Sequence, residues 1–436
     1  MQNTFAIPID NDKCILYAPL KGVAFYSSKN AIGIIDKIVN HQQLTESEGS
    51  SIVYQKIKEL GLNIIDNKID ERVAVKKQEV FDPTKLIIIP TEGCNLGCTY
   101  CYASAVPVKD KIEWTLIEKG IQMIITNASH TKNKKANITF YGGGEPTIHW
   151  DLLVKTVIYA QELAKENSVN FNCKIITNGT LLDEEKIIWI KNNRISLSLS
   201  FDILPDVQLF QRPYANGNNS HSKVMKTISL LTKHSCIFNI RATVTENNLL
   251  SMVETVEFIH THLNQIKRIH LEPSTLAGRS IETSTKEPMD KVFVEEFLKA
   301  YRRGKELGIY VRCSMSDTLG RLRGRFCNTE FTITSTGKLT ACHRYSREET
   351  NNSSLFMYGH YDKSSKEFII DMDKLNSIGD ANVHNFSGCN NCFAKYNCAG
   401  DCLSARVKDE EIPQYGPRCF IVRELLKESI VEKLNI

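Results

Sequence analysis

Residues 86–101 read LIIIPTEGCNLGCTYC, an apolar run followed at once by three cysteines. The run has the length of a buried strand, and Cys94, Cys98 and Cys101 fall in the loop behind it. Their spacing is C-x3-C-x2-C, with no fourth cysteine nearby. A structural zinc site normally closes with four ligands, whereas three thiolates suit an iron–sulfur cubane with one iron left open. The stretch therefore predicts a strand that leads into a cluster-binding loop.

The same strand-then-helix order continues from Lys85 onward. Amphipathic stretches such as WTLIEKGIQMII and LLVKTVIYAQELAKE separate shorter apolar runs. Repeated β–α units predict a parallel sheet with crossover helices, and six strands predict a partial barrel with its working residues at the carboxyl ends of the strands. The six strands are predicted at 86–90, 137–144, 173–179, 195–202, 237–245 and 268–273.

The composition is that of an ordinary globular protein. The 436 residues suffice for two or three domains, with 42% hydrophobic and 24% charged residues. No stretch approaches the roughly 18 uncharged apolar residues of a membrane helix, and the opening MQNTFAIPIDNDK lacks the pattern of a secretory signal. The formal charge is +4, with basic residues scattered among nearly as many acids. We expect a cytoplasmic protein with no membrane or nucleic-acid partner.

The chain has fourteen cysteines, most of them bunched. Three lie between positions 94 and 101 and seven between 327 and 419. A disulfide framework belongs to small secreted domains, so bunched cysteines in this chain indicate metal or cluster ligation. The cysteines that stand apart are Cys14, Cys173, Cys236 and Cys313.

Three of the predicted strands end in short polar motifs: GGEP at 143–146, TNGT at 177–180 and SFD at 200–202. Together with the cysteine loop, this order resembles the radical S-adenosylmethionine (SAM) superfamily. The resemblance implies a [4Fe–4S] cluster on the three cysteines of the loop, with SAM chelating its open iron. It also implies that SAM is cleaved reductively to a 5′-deoxyadenosyl radical, while the barrel positions the radical and excludes water.

The resemblance assigns SAM-binding roles to individual residues. Tyr100 matches an aromatic residue that faces adenine, and Arg241 either reaches the SAM carboxylate or forms a structural ion pair. Ile203 departs from the family pattern, because a glycine usually follows the matching aspartate. The other implied SAM-binding residues are Gly143, Gly144, Glu145, Pro146, Asn178, Ser200, Asp202 and Arg212.

The second group of cysteines has a fixed order around Gly337, and it resembles the SPASM extension of radical SAM enzymes. That extension usually holds two auxiliary [4Fe–4S] clusters, which gives three clusters in all. Cys313 is either the fourth ligand of the first auxiliary cluster or a plain buried thiol. Carried over by position, the ligands of the first auxiliary cluster are Cys327, Cys342 and Cys402, and those of the second are Cys389, Cys392, Cys398 and Cys419.

These patterns predict an α/β protein with three domains, at 1–83, 84–310 and 311–436. The second is the (β/α)6 partial barrel and the third the SPASM domain. The first combines short strands with two amphipathic helices, AIGIIDKIV and SIVYQKIKEL. It fits a small α+β winged-helix module that binds the leader of a precursor peptide as an added strand. A structural cap over the barrel mouth is the alternative.

SPASM enzymes mature peptides or proteins, so the resemblance implies a polypeptide substrate and an external electron donor of the flavodoxin or ferredoxin type. Sulfatase-maturing enzymes carry an aspartate directly after the cysteine matching Cys342, where this chain has His343, and they lack the first domain. We therefore predict an oxidoreductase that abstracts hydrogen from a ribosomally made precursor peptide. The expected product is a thioether, carbon–carbon or carbon–oxygen cross-link.

His343 and Asp202 are the candidate catalytic bases, and each also has an ordinary structural explanation. Three other activities stay open at this point. They are formylglycine formation in sulfatases, peptide epimerisation and, in a different class, electron transfer by a non-catalytic iron–sulfur protein.

Overall fold

A computed structural model describes residues 4–63, 69–108, 110–283, 286, 288–348, 352–409 and 411–435. The chain divides into two compact units, each assembled from separate segments. The first unit comprises Met1–Lys77, Met315–Asn328 and Gly379–Ile436, and the second comprises Gln78–Ser314 and Thr329–Ile378. The three domains expected from the sequence stay a prediction. No helix among the described residues is both long and apolar enough to cross a membrane.

The amino-terminal part of the first unit is a small antiparallel sheet followed by three helices. The strands are β1 (Phe5–Pro8), β2 (Lys13–Ala18) and β3 (Val23–Ser28), in the order β1-β2-β3. The helices are α1 (Asn30–Val39), α2 (Glu46–Gly49) and α3 (Ile52–Glu59). Apolar residues from both layers, among them Leu16, Ile35 and Ile57, form one buried cluster. The winged-helix assignment stays a prediction.

The second unit is built on parallel strands that alternate with helices, as the sequence predicts. Its strands are β4 (Lys85–Ile88), β5 (Lys135–Phe140), β6 (Asn170–Thr177), β7 (Ser196–Ser200), β8 (Phe238–Val244), β9 (Arg268–Pro273) and β10 (Tyr310–Arg312). Each pairs in parallel with the next. All six predicted strands are present, and β10 is an additional one.

Eight helices follow these strands or lie between them. They are α4 (Trp114–Ser129), α5 (Trp150–Glu166), α6 (Glu184–Asn192), α7 (Pro205–Gln211), α8 (His221–Lys233), α9 (Met252–His262), α10 (Arg279–Glu282) and α11 (Asp290–Leu307). Helix α4 packs tightly on the sheet, since a Cβ at Gly120 would lie 2.7 Å from Ile333 and 3.0 Å from Leu86. Burial of the apolar strand face under such helices holds this layer together.

Four further strands extend the same sheet beyond β4. They are β11 (Thr332–Ile333), β12 (Lys338–Thr340), β13 (Met357–Asp362) and β14 (Glu367–Ile370). Strand β11 pairs in parallel with β4, and the others continue as an antiparallel meander. The described sheet therefore has eleven strands, with β10 and β14 at its edges. It is mostly parallel, which confirms the α/β class; the partial-barrel description stays a prediction.

The carboxyl-terminal part returns to the first unit after α12 (Met372–Gly379). It contains the short helices α13 (Lys395–Cys398) and α14 (Leu403–Arg406) and the longer α15 (Cys419–Leu434). Within this unit, the Tyr17 hydroxyl donates to Asn397 Oδ1 at 2.8 Å. Val73 shares a buried cluster with Phe386, Cys389 and Tyr396. Residues from both ends of the chain thus form one core.

Candidate functional site

The cluster loop that follows β4 is joined to neighbouring segments by hydrogen bonds. The Gly97 N–H donates to the carbonyl oxygen of Pro213 at 2.8 Å, and the Thr99 N–H donates to that of Gln211 at 3.0 Å. From α10, Arg279 Nη1 donates to the carbonyl oxygen of Cys98 at 2.9 Å. These bonds fix the loop's path and so preorganise its cysteines.

The GGEP loop after β5 lies directly against the cluster loop. Gly144 N–H donates to the carbonyl oxygen of Thr91 at 2.8 Å. A Cβ at Gly144 would lie 1.8 Å from the carbonyl oxygen of Gly93, so no other residue fits there without displacing backbone. Gly143 has φ +61°, the left-handed region that glycine adopts without strain. The buried Pro146 then begins a short 3₁₀ helix, where a missing N–H costs nothing.

Glu145 is buried, and its two oxygens are occupied by the end of β6. Oε1 accepts from Thr177 Oγ1 at 2.6 Å, and Oε2 accepts from the Asn178 N–H at 2.7 Å. The Asn178 amide in turn donates to Asn95 Oδ1 at 2.9 Å and lies 4.0 Å from Cys94 Sγ. The GGEP acid, the TNG asparagine and the first cluster cysteine therefore form one connected network.

A second buried network joins Tyr100, Asp202 and Arg212. The Tyr100 hydroxyl donates to Asp202 Oδ2 at 2.8 Å and accepts from Arg212 Nη1 at 2.6 Å. Asp202 also accepts from Gln211 Nε2 and from the Thr243 N–H, each at 2.9 Å. Burial raises the pKa of Asp202, while Arg212 opposes the rise. Within the described part of the chain, buried Arg212 Nε has no hydrogen-bond partner, which fits a site that receives an anionic group.

Two other residues implied by the resemblance lie on neighbouring strands. Ser200 and Arg241 are register partners on β7 and β8, so their side chains share a face of the sheet. Ile203 has φ +69°, a conformation that strains a β-branched residue. At the one position where the sequence departs from the family pattern, the backbone thus keeps the conformation that favours glycine.

The three thiols of the cluster loop lie close enough to influence one another. Burial is the largest of the causes that raise the pKa of Cys94 to about 12, and the charges of Cys98, Glu145 and Cys101 contribute to the rise. Burial likewise raises the pKa of Cys98 to about 11. Buried thiols give up their protons to a metal that binds them as thiolates. Their proximity fits a three-thiolate cluster, as the sequence predicts, and the ligand assignment stays a prediction.

Four more cysteines come together inside the first unit. Cys389 ends a 3₁₀ helix, Cys398 ends α13 and Cys419 begins α15. Burial is the largest of the causes that raise the pKa of Cys389 to about 11; Arg406 opposes the rise, and Cys392 and Cys419 contribute to it. Burial is also the largest of the causes that raise the pKa of Cys398. The charges of Asp401 and of the other three cysteines raise the pKa as well. These are the four residues expected to hold the second auxiliary cluster.

The residues expected at the first auxiliary cluster divide between the units. Cys327 and Cys402 belong to the first, and Cys342 and Cys313 to the second. Cys402 Sγ lies 3.3 Å from Ser404 Oγ, and Cys313 is completely buried directly after β10. Their joint ligation of one cluster stays a prediction, as does the role of Cys313.

A histidine–glutamate pair lies beside Cys342. Glu330 Oε2 accepts from the His343 N–H at 2.7 Å and lies 3.0 Å from His343 Nδ1. Burial opposes the ionisation of Glu330, but His343 lowers its pKa below the ordinary value. The His343 ring centroid is 4.1 Å from that of Tyr141, the residue before the glycines of the GGEP loop. Candidate base His343 is therefore oriented by a carboxylate and lies next to the GGEP loop.

Glu330 was not among the residues singled out from the sequence. In the β11–β12 hairpin Thr332 faces Thr340, and this register places Glu330 opposite Cys342. The turn signal was Gly337, which has φ +84°. Counting outward from that turn would have paired the glutamate with the cysteine, and hence with its neighbouring histidine.

The segment that follows Cys342 also contacts the cluster loop. Arg347 Nε donates to Glu92 Oε2 at 3.1 Å, two residues before Cys94. Arg344 Nη2 donates to Thr275 Oγ1 at 2.7 Å, and the Arg344 guanidinium lies 5.5 Å from the ring centroid of Tyr102, the residue after Cys101. This segment therefore contacts residues at both ends of the cluster loop.

Residues 88–259 match the family model described as the radical SAM superfamily. This segment is a radical SAM domain. It contains the cluster loop, the GGEP loop and the strand ends that carry Asn178 and Asp202, which confirms the resemblance. The family implies a [4Fe–4S] cluster and SAM, and the donor sets described above fit both.

Relatives extend the match beyond the radical SAM domain. An uncharacterised protein of Methanocaldococcus jannaschii is 30% identical over 174 residues, which is 40% of this chain and 57% of that protein. A cysteine-type anaerobic sulfatase-maturating enzyme of Clostridium novyi is 24% identical over 354 residues, or 75% of this chain and 89% of the relative.

Solved structures show the same fold at low identity. Native anSMEcpe with bound AdoMet has a TM-score of 0.62 and 19% identity, over 81% of this chain and 99% of that one. Streptococcus suis SuiB bound to precursor peptide SuiA has a TM-score of 0.53 and 15% identity, over 96% of this chain and 99% of SuiB. Both matches extend well outside the radical SAM domain.

Proposed function

We propose that this protein is a radical SAM peptide maturase that installs a cross-link in a ribosomally made precursor peptide. The observation that carries the proposal is the extent of the fold match. The structure of SuiB with its precursor peptide covers 96% of the chain, whereas native anSMEcpe covers 81%. The match to SuiB therefore includes a larger share of the chain than the match to anSMEcpe does, and it extends beyond the radical SAM domain and the cysteine-rich segments.

The amino-terminal sheet supports a role in peptide binding. Among the described residues, β1 and β3 are its outer strands, each paired only with β2. An outer strand presents backbone N–H and C=O groups that an extended peptide can pair with. The leader of the precursor peptide would add to this sheet as a further strand.

When bound, the cluster and SAM supply the 5′-deoxyadenosyl radical that removes a hydrogen atom from the substrate. Cys94, Cys98 and Cys101 would hold the cluster, and an external flavodoxin or ferredoxin would supply the electron. The buried Tyr100–Asp202–Arg212 network offers a donor to an anionic part of SAM, at Arg212 Nε. Its hydrogen bonds keep that donor in place without requiring movement on binding.

Of the two candidate bases, His343 suits proton removal better than Asp202. Both oxygens of Asp202 already accept hydrogen bonds, from Tyr100 and Gln211 on one side and the Thr243 N–H on the other. His343 Nδ1 faces the Glu330 carboxylate, so Nε2 is left to receive a proton. The same carboxylate would stabilise the imidazolium that forms. After the hydrogen atom has been removed, cross-link formation releases a proton and one electron from the substrate. His343 would accept the proton, and the auxiliary clusters would accept the electron.

Sulfatase maturation is the second candidate function. The sequence similarity to the Clostridium novyi sulfatase-maturating enzyme supports it, over 75% of this chain. Against it stands His343, at the position where those enzymes are expected to carry an aspartate. In this reading the histidine would replace the aspartate as base, and the product would be an aldehyde in place of a cross-link.

The test begins with anaerobic purification and iron analysis. Three clusters require about 12 iron atoms per chain, two require about 8, and a colourless zinc protein would rule out the proposal. A short precursor peptide encoded next to the gene is then incubated with SAM and reductant, and its mass is measured. Loss of two hydrogens supports a cross-link, whereas an aldehyde supports sulfatase maturation. An unchanged mass with deuterium uptake would indicate epimerisation.

A further inference from the structure

The two faces of the parallel strands in the second unit differ in composition. Side chains alternate between the faces along a strand, and register partners on neighbouring strands share a face. One face carries buried apolar residues such as Leu86 and Ile175. Helices cover this face, since Gly120 of α4 packs against Leu86. The other face is polar, and it is the face that carries Ser200 and Arg241.

This polar face is strongly basic. Arg241 pairs in register with His270, and His270 with Arg312. Lys174 joins the same face through its register partner Ser196 on β7. We call it the basic face, because strands β4–β10 place six cations and one carboxylate on it. The cations are Lys85, Lys135, Lys174, Arg241, Arg268 and Arg312, and the carboxylate is Glu272.

Glu272 is engaged by its immediate neighbours. Its Oε2 accepts from the Ser314 N–H at 2.9 Å and lies 2.6 Å from His270 Nε2. Its Oε1 accepts from Ser314 Oγ at 2.5 Å. Even with further contacts, a single carboxylate cannot balance six cations. The basic face therefore has an excess of positive charge within strands β4–β10.

Lys174 is the half-buried cation of this face that has no counter-charge in the described chain. It forms no ion pair and no hydrogen bond with any described residue. Burial lowers the pKa of Lys174, and the like charge of Arg241 lowers it further. Lysines withdrawn from water are usually paired, and two neighbouring cations are stabilised by an anion that both can reach. The arrangement fits a ligand that brings a negative charge.

We propose that the basic face binds a carboxylate of the precursor peptide, with Lys174 and Arg241 on either side of it. The proposal rests on the proposed function and deepens it, because it names the chemistry by which the core of the peptide is recognised. The carboxylate belongs to an aspartate or glutamate side chain or to the end of the peptide. Since Arg241 is in the same row as Ser200, the bound carboxylate would hold its neighbours in the peptide near the strand ends that carry Asn178 and Asp202.

The test is a double-mutant cycle between the protein and the precursor peptide encoded next to the gene. Fluorescence anisotropy of the labelled peptide gives its dissociation constant on anaerobically reconstituted protein. S-adenosylhomocysteine replaces SAM, so that no turnover occurs. Each aspartate or glutamate of the core is changed in turn to asparagine or glutamine, and a separate peptide carries an amidated carboxyl terminus. In the protein, Lys174→Met removes the charge and Lys174→Arg keeps it. Lys165→Met is the matched control, because Lys165 is exposed on α5 in the helical layer.

One carboxylate-to-amide change and Lys174→Met should each weaken binding by about tenfold or more. The two changes together should weaken it hardly more than either alone, because both remove the same contact. The sensitive position tells a side chain from the carboxyl terminus. Lys174→Arg and Lys165→Met should bind nearly as the wild type does. Additive effects overturn the proposal, and so does a peptide whose affinity depends on none of its carboxylates or an equal loss in Lys174→Arg.

A second measurement separates the peptide from the carboxylate of SAM itself. Equilibrium dialysis without peptide gives the affinity for S-adenosylhomocysteine, which Lys174→Met should leave unchanged. If this affinity falls as much as that for the peptide, the basic face serves the SAM carboxylate and the proposal is overturned.

The binding experiment does not require the peptide to be modified. If the peptide binds with the expected dependence on a carboxylate but never changes mass, the proposed cross-linking fails and this proposal stands. If the peptide is cross-linked without any such dependence, the proposed function stands and this proposal fails. A peptide that does not bind at all overturns both.

Discussion

Replacing Gly144 by alanine should weaken SAM binding by a purely steric route. The added Cβ would lie 1.8 Å from the carbonyl oxygen of Gly93, so one of the two loops must move by about 1.5 Å to reach ordinary contact. Two bonds of 2.8 Å join these loops, from Gly144 N–H to Thr91 and from Glu145 N–H to Gly93. Both would be stretched beyond hydrogen-bonding range.

Two lost backbone hydrogen bonds cost about 1 kcal/mol each, and about twice that if their buried groups find no other partner. We therefore expect a loss of about 2–4 kcal/mol at the junction of the cluster loop and the GGEP loop. A shift of this size next to Cys94 should lower the affinity for S-adenosylhomocysteine, a non-cleavable analogue of SAM, by more than about tenfold. Equilibrium dialysis on reconstituted protein measures it without any peptide substrate.

The control is Gly97→Ala in the cluster loop itself. A Cβ there meets nothing closer than 3.7 Å, and Gly97 has no positive φ. This variant should bind the analogue as the wild type does. Wild-type affinity in Gly144→Ala, or an equal loss in Gly97→Ala, would refute the steric reasoning.

Three further outcomes follow from the structure. In metal-free protein at pH 8, Cys94 should be alkylated at least about a hundredfold more slowly than an unperturbed thiol. The reason is that its pKa is raised to about 12, so the thiol keeps its proton until the pH approaches that value. Peptide mass spectrometry measures the alkylation rate, which should rise with pH. Asp202→Asn should lower the free energy of unfolding by about 3 kcal/mol in urea titrations, since it leaves buried Arg212 without its counter-charge, whereas Asp206→Asn on the surface should change it little. Tyr17→Phe should cost about 1 kcal/mol through the lost bond to Asn397, while the same change at half-exposed Tyr26 should be nearly neutral; equal effects would contradict the inferred core.

The parallel layer of the second unit could be predicted because its signals are local. Each predicted strand is a short apolar run, and each predicted helix is a longer stretch in which apolar residues recur at helical spacing. Predicted boundaries extended too far wherever a strand ran into a motif: the run 137–144 includes the glycines, but β5 ends at Phe140. At Gly144, just beyond the strand, the neighbouring cluster loop leaves no room for a Cβ.

The sequence did not reveal that β11 pairs with β4. Thr332 lies beside Ile87 in that pairing, although about 245 residues separate them along the chain, and β11 is only two residues long. Such a strand carries no periodic signal, so its partner is decided by packing against α4 and the rest of the sheet.

The first unit imposes an order on biosynthesis. Its opening segment ends at Lys77, yet the segment that completes its core begins only at Gly379. At about 5–20 residues per second, the ribosome takes roughly 15–60 s to cover that interval. During this time the partners of Tyr17 and Val73 have not been made, so apolar surface on the nascent chain stays available to chaperones. In the proposed function, where four cysteines of this unit hold a cluster, iron can reach them only after almost the whole chain has been synthesised.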